Sequence, residues 1–61
     1  MEDITLSEII DYARINEENA RQFYASAAEH ATQQNIKKYL EHLSRVEQRH
    51  IDHLDELGTL R

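Results

Sequence analysis

Glu47 and His50 are separated by two residues, a spacing that places a carboxylate and an imidazole side by side on one face of an α-helix. Glu17, in the first half of the chain, occupies an equivalent position in a second helical pattern. All three residues interrupt rows of apolar side chains, and burying ionisable groups there is costly unless something compensates them. The pattern therefore predicts a bound metal ion, with Glu17, Glu47 and His50 as its ligands.

These rows of apolar positions, which we call seams, repeat at alternating four- and three-residue spacing, as expected for one side of an α-helix. The first seam consists of Leu6, Ile10, Ala13, Glu17, Ala20, Tyr24, Ala27 and Ala31. The second consists of Ile36, Leu40, Leu43, Glu47, His50, Leu54 and Leu57.

The whole chain, residues 1–61, is predicted to form one all-α domain with a helix over about 6–31, a turn over about 31–35 and a helix over about 34–57. Thr5 and Glu8 have the spacing of a capping box at the first helix start. Thr32 or Asn35 is the expected cap of the second helix, and Gly58 is expected just past its end. The two helices then form an antiparallel hairpin.

A turn centred near residue 32 brings Glu17 and Glu47 to the same depth of this hairpin. Two helices cannot shield the whole apolar face, because further apolar positions lie beside both seams. These positions are Ile9, Ile15, Phe23 and Ala28 in the first half and Tyr39, Val46 and Ile51 in the second. We therefore expect two hairpins to dimerise into a four-helix bundle with two-fold symmetry. The dimer doubles the ligand set to four Glu and two His around two metal ions.

The composition excludes several classes of function. The 61 residues contain no Cys, which excludes disulfides, thiolate metal sites and cysteine nucleophiles. The formal charge of −5, with basic residues scattered among acids, argues against nucleic-acid binding. No apolar run is long enough to cross a membrane or to serve as a signal peptide, so we expect a cytoplasmic protein.

The motif Glu17-x-x-Ala20-x-x-Phe23-Tyr24, together with Glu47-x-x-His50, resembles the rubrerythrin and ferritin-like superfamily. With a single helix pair, the chain is most similar to the half-sized, encapsulated-type ferritins, in which two chains share one di-iron site. The resemblance implies a ferritin-like bundle that binds two Fe ions per dimer and oxidises Fe(II) with dioxygen or peroxide. It also implies that Glu17 is a terminal ligand, Glu47 a bridging ligand and His50 the nitrogen donor of this catalytic site.

Two further features of the sequence bear on this resemblance. The chain has no Cys and so lacks the rubredoxin domain of typical rubrerythrins, which removes a built-in electron supply. Its final residues, Leu57-Gly58-Thr59-Leu60-Arg61, resemble the short tags that dock cargo inside encapsulin shells. The partners predicted are a second copy of the chain, a higher oligomer of it, and an encapsulin shell if this tag acts.

The ligand chemistry leaves the metal open, because a hard site of oxygen and nitrogen donors suits iron or manganese and also accepts zinc. Tyr24 and His53 have two interpretations each. Tyr24 is either a hydrogen-bond donor or redox-active phenol beside the ligands, or an ordinary core aromatic. His53 is either an additional group near the metal or a partly exposed, inert side chain.

Two other functions remain open at this point. A polar layer can fix the register of a helical bundle without metal, so the chain could be a non-catalytic assembly module, with or without a structural ion. A rubrerythrin-like peroxide reductase is the other alternative, and it requires an external electron donor.

Overall fold

The computed structural model describes residues 3–59, which form two α-helices: α1, Leu6–His30, and α2, Gln34–Gly58. Contacts between the helices pair rising numbers in α1 with falling numbers in α2: Arg14 with Asp55, Glu17 with His50, and Arg21 with Ser44. The helices are therefore antiparallel, and the predicted all-α hairpin is confirmed. It measures 48 × 24 × 11 Å, so the hairpin is a single layer of helices.

The start of α1 follows from its first residues. Thr5 is the N-cap, with extended backbone, and its hydroxyl accepts a hydrogen bond from the Glu8 amide at 3.1 Å. This bond satisfies one of the amide groups that have no partner within the helix. At the other end, Nδ1 of His30 lies 2.8 Å from the Ser26 carbonyl oxygen, which occupies a carbonyl in the last turn.

The caps of α2 differ from those expected. Gln33, not Thr32 or Asn35, is the N-cap, and it makes no side-chain capping bond. Gly58 is the last helical residue rather than a left-handed residue beyond the helix, and no described glycine has a positive φ. The reason is Thr59, which stays right-handed, and whose hydroxyl donates to the Glu56 carbonyl at 2.6 Å. The predicted docking tag extends to residues 60 and 61, which lie outside the described residues.

The contact between the helices is narrow. Among the described residues only Ile10, Ala28 and Ile51 are buried, and Ile51 is 1% exposed. Ile10 belongs to the predicted seam, but Ala28 and Ile51 were expected beside it. Each seam is wider than one helix contact, so the hairpin buries one edge of the apolar stripe and leaves the rest uncovered.

The uncovered part of the stripe forms an apolar surface along one side of the hairpin. At about 100° per residue, its members extend from the flank of each helix beside the buried contact to the outer edge of α1. We call it the open face, and its large apolar members are Leu6, Ile9, Tyr12, Phe23, Ile36, Tyr39 and Leu57, all exposed. Ile15 is also exposed but lies on the far side of α1. A single hairpin thus leaves most of its large apolar side chains in water.

Two arginines of α1 form ion pairs with carboxylates. Arg14 donates to both carboxylate oxygens of Asp55, at 2.7 and 3.4 Å, and so joins α1 to α2. Arg21 makes a two-point contact with Glu18 one turn earlier, and Gln22 also donates to Glu18. The guanidinium of Arg21, and secondarily Gln22, lowers the pKa of Glu18 from 4.5 to about 2.

The lowered pKa of Glu18 predicts how acid affects stability. A carboxyl whose pKa is lower in the folded state stabilises the fold above its ordinary pKa, and this contribution is lost as the pH falls through the folded value. We expect Glu18→Gln to be less stable than wild type above pH 4.5, with the difference vanishing as the pH falls to about 2. Thermal unfolding followed by circular dichroism at several pH values measures this. Glu29→Gln, an exposed acid on α1, is the control, and an equal pH-dependent difference in both variants would contradict the assignment.

Candidate metal centre

The structure brings Glu17, Glu47 and His50 together near the middle of the hairpin. Each offers a ligand atom, and these atoms lie within 4.8 Å of one another. Nδ1 of His50 lies 2.9 Å from Oε2 of Glu17, across the helix contact, and 3.6 Å from Oε2 of Glu47 on its own helix. Within residues 3–59 this is the one group of three or more potential ligands at such spacing.

Hydrogen bonds among the three side chains shift the pKa of each one. A hydrogen bond with Glu47, and then one with His50, lowers the pKa of Glu17. The same hydrogen bond with Glu17 raises the pKa of Glu47, since a carboxyl that donates to a carboxylate keeps its proton. The hydrogen bond to Glu17 also raises the pKa of His50. The cluster therefore retains protons at a pH where isolated groups would have released them.

These groups lie at the edge of the open face rather than inside the hairpin. The His50 side chain is 55% exposed, that of Glu17 31% and that of Glu47 17%. The sequence predicted that all three turn inward, and only the two carboxylates are partly covered by their own hairpin. The reason is again that the contact between the helices buries only one edge of each seam. His50 lies on the uncovered edge of the second seam.

The donor set suits a divalent cation of the first transition series. Two carboxylates and one imidazole are hard and borderline ligands, which fit iron, manganese and zinc. A divalent ion can replace the protons that the cluster retains, because it supplies positive charge between the same oxygen and nitrogen atoms. Three ligands from one chain do not fill the coordination sphere of an octahedral ion, so the sides that face the solvent stay open to further donors.

Tyr24 and His53 occupy different surroundings. His53 lines an open groove of about 290 Å³ together with Glu17, His50 and Leu54, so it lies beside the candidate ligands. Tyr24 packs edge-on against Phe23, with ring centroids 5.7 Å apart, and is partly buried. No hydrogen bond joins the Tyr24 hydroxyl to the ligands among residues 3–59. A role for either residue in the chemistry stays a prediction.

Sequence reasoning missed the ion pair that lies closest to the site. Asp55 accepts a hydrogen bond from Arg14, which lies one turn before Glu17. The contact ties the helices together just beside the ligands. The three-residue spacing of Glu18 and Arg21 was a local signal for their pairing. No comparable signal existed for Arg14 and Asp55, which are distant in sequence.

The chain is similar to a known protein family. The Rubrerythrin family model matches residues 3–58 of the chain, a stretch that includes both helices and all three candidate ligands. No curated protein and no solved structure matches the chain. Neither α1 nor α2 combines the length and the apolar character that a bilayer-spanning helix requires, as judged over residues 3–59.

Proposed function

Since the chain belongs to the rubrerythrin family, we propose that it binds Fe(II) through Glu17, Glu47 and His50 and oxidises it with dioxygen or peroxide. The observation that carries the proposal is the convergence of the three ligand atoms within 4.8 Å. Iron is the substrate of this reaction. Manganese and zinc fit the same donors and would compete with it for the site.

The active unit in this proposal is a homodimer. The ligands border the open face, and His50 is more than half exposed, so the coordination sphere of one hairpin is incomplete. A second copy that covers this face would add its own two carboxylates and imidazole. Four carboxylates then balance the charge of two divalent ions, which fits a pair of iron ions shared between two chains.

In this proposal the protein's side chains release protons when the metal binds and hold the ligand atoms in position. Glu47 and His50 must lose the protons that their raised pKa values retain before both can act as ligands. Glu17 attracts the cation first, because its lowered pKa keeps it ionised. Two bound Fe(II) ions would become Fe(III) and together supply two electrons, which with protons from solvent reduce dioxygen to hydrogen peroxide or hydrogen peroxide to water.

Aerobic addition of Fe(II) tests the proposal. We expect wild-type protein to oxidise Fe(II) faster than buffer, as seen in the growth of ferric absorbance in the near ultraviolet. We expect His50→Ala to oxidise Fe(II) at least about tenfold more slowly than wild type, because each ligand set would lack its nitrogen donor. His42→Ala is the matched control, since His42 is an exposed histidine of the same helix.

The outcomes separate the proposed oxidase from its alternatives. Equal rates for wild type, His50→Ala and buffer would remove the oxidase function. Metal binding without accelerated oxidation would leave a metal-stabilised assembly module. Faster reaction of the reduced, iron-loaded protein with peroxide than with dioxygen would favour a peroxide reductase that depends on an external electron donor.

A further inference from the structure

An apolar groove of about 460 Å³ lies on the flank of α1, between the start of the helix and the metal centre. Its lining consists of Ile4, Glu8, Ile9, Tyr12, Ala13 and Asn16. Ile4 reaches the groove from the extended segment before α1, and Ala13 leaves space because its side chain is small. The groove is open to solvent along the open face.

Phe23 is an exposed aromatic side chain on the same flank of the same helix. It is 68% exposed and touches the Tyr24 ring along one edge. Phe23 follows Asn16 by two helical turns, so both residues project in nearly the same direction. An exposed ring of this size is costly in water, since an aromatic side chain removes roughly 150–250 Å² from solvent when it is buried.

The groove and the ring lie at equal distances from the metal centre, on opposite sides of it. Phe23 follows Glu17 by six residues, which is about 9 Å toward the turn at 1.5 Å per residue. The middle of the groove, between Ile9 and Ala13, precedes Glu17 by the same number of residues, which is about 9 Å toward the other end. A two-fold axis that runs between the copies, perpendicular to α1 at the level of Glu17, therefore brings the partner's ring to the level of the groove.

We propose that a second copy of the chain packs on the open face in the opposite direction, so that Phe23 of the partner subunit fills this groove. By symmetry, the contact forms twice in each dimer. It rests on the proposed function, which requires two chains to share the metal centre. The partner's Phe23 then closes the α1 side of the interface next to Glu17 and excludes water from it.

The opposite possibility, two copies pointing in the same direction, fits the surfaces less well. Phe23 and Tyr39 both lie in the half of the hairpin next to the turn, whereas both grooves of the open face lie in the other half. Copies that point the same way would set aromatic rings against rings and grooves against grooves. Packing at the density of a protein interior instead requires protruding side chains to enter recesses.

The size of the open face is adequate for a stable dimer. Its three exposed aromatic residues, Tyr12, Phe23 and Tyr39, are each about two-thirds exposed and together offer on the order of 300–500 Å². The aliphatic members of the face add to this area. A specific interface needs about 800 Å² from each partner, which is the same order. A second copy of the chain is thus an occupant of the right extent.

Disulfide cross-linking tests the arrangement, and the absence of Cys from the chain gives it a clean background. Phe23→Cys is mixed with Tyr12→Cys, loaded with Mn(II) and exposed to oxidised glutathione. A mixture of Phe23→Cys with Tyr39→Cys reports on copies that point in the same direction, because a two-fold axis parallel to the helices sets α1 of one copy against α2 of the other. A mixture of Phe23→Cys with Ile15→Cys is the matched control, because Ile15 is an exposed residue one turn after Tyr12 that lies off the open face.

We expect a covalent dimer in the first mixture and only background levels in the other two samples. A stronger cross-link in the mixture with Tyr39→Cys would overturn the proposed direction. If the first mixture gives no more covalent dimer than the Ile15→Cys control, the proposed contact itself is refuted. The solution mass of metal-loaded wild type separates these failures from that of the proposed function: a dimer without the cross-link refutes only the contact, whereas a monomer refutes the shared site as well.

A second measurement avoids covalent chemistry. In sedimentation equilibrium with Mn(II), Phe23→Ala should weaken dimerisation at least about 30-fold, because each dimer loses a central aromatic contact twice. Ile15→Ala should change it less than about threefold. Similar dissociation constants for the two variants would contradict the proposal, provided that circular dichroism shows equal helix content.

Discussion

Mn(II) is expected to raise the melting temperature of wild-type protein by at least about 10 °C and to convert monomers into dimers. A ligand in hundredfold excess over its dissociation constant stabilises by about 2.7 kcal/mol at each site. Each kcal/mol corresponds to roughly 4–8 °C for a chain of this size. The cation also removes the repulsion that arises when two copies bring the carboxylates of Glu17 and Glu47 together. Thermal melts and light scattering with and without Mn(II) measure both effects.

The variant Glu47→Gln should abolish both responses, because a neutral amide cannot replace the negative charge of the carboxylate. Glu41→Gln, an exposed acid on the same helix, should respond as wild type does. The response should also weaken as the pH is lowered. His50 and Glu47 have raised pKa values, so protons compete with the metal from a higher pH than is usual for these side chains. An undiminished response in Glu47→Gln would show that the cation binds elsewhere.

The variant Ile51→Ala is expected to lower the free energy of unfolding by about 2–4 kcal/mol. Ile51 is the most deeply buried large side chain described, at 1% exposure, and its removal would leave a cavity at the contact between the helices. A domain of this length has only about 3–9 kcal/mol of total stability. The loss should therefore lower the melting temperature by about 10 °C or more and leave the metal-free protein partly unfolded.

Urea unfolding followed by circular dichroism measures this effect. Ile15→Ala removes the same atoms from an exposed site on α1 and should change the stability by less than about 0.5 kcal/mol. Comparable losses in the two variants would mean that the contact around Ile51 is not the core of the hairpin. Melting in the presence of Mn(II) should restore part of the lost stability, since metal binding is linked to folding.

The sequence predicted the hairpin because local signals agreed with the long-range pattern. Thr5 and Glu8 have the spacing of a capping box, and the predicted bond from the Glu8 amide to the Thr5 hydroxyl is present. The apolar rows had helical spacing, and a single polar segment near residue 32 was available for a turn. Each of these features depends on residues close in sequence, and such features are the most readable from sequence alone.

The rotation of the helices about their own axes was not readable in this way. The spacing of apolar residues along a helix is the same whether the helix packs against one neighbouring helix or against two. Ala28 and Ile51 were therefore placed at the margin of the contact instead of at its centre. For the same reason, the exposure of His50 within one hairpin was not foreseen. The pairing of Arg14 with Asp55 depends on that rotation too, and no local pattern encodes it.

The start of α1 and the end of α2 lie together at one end of the 48 Å hairpin. When two hairpins pack in opposite directions, the finish of one copy and the beginning of the next are therefore separated by nearly this whole length. Fusing two copies into one polypeptide would require a tether of at least about 14 residues, at 3.3–3.6 Å for each extended residue. A shorter tether would force the copies into the other orientation or join different pairs into chains of bundles.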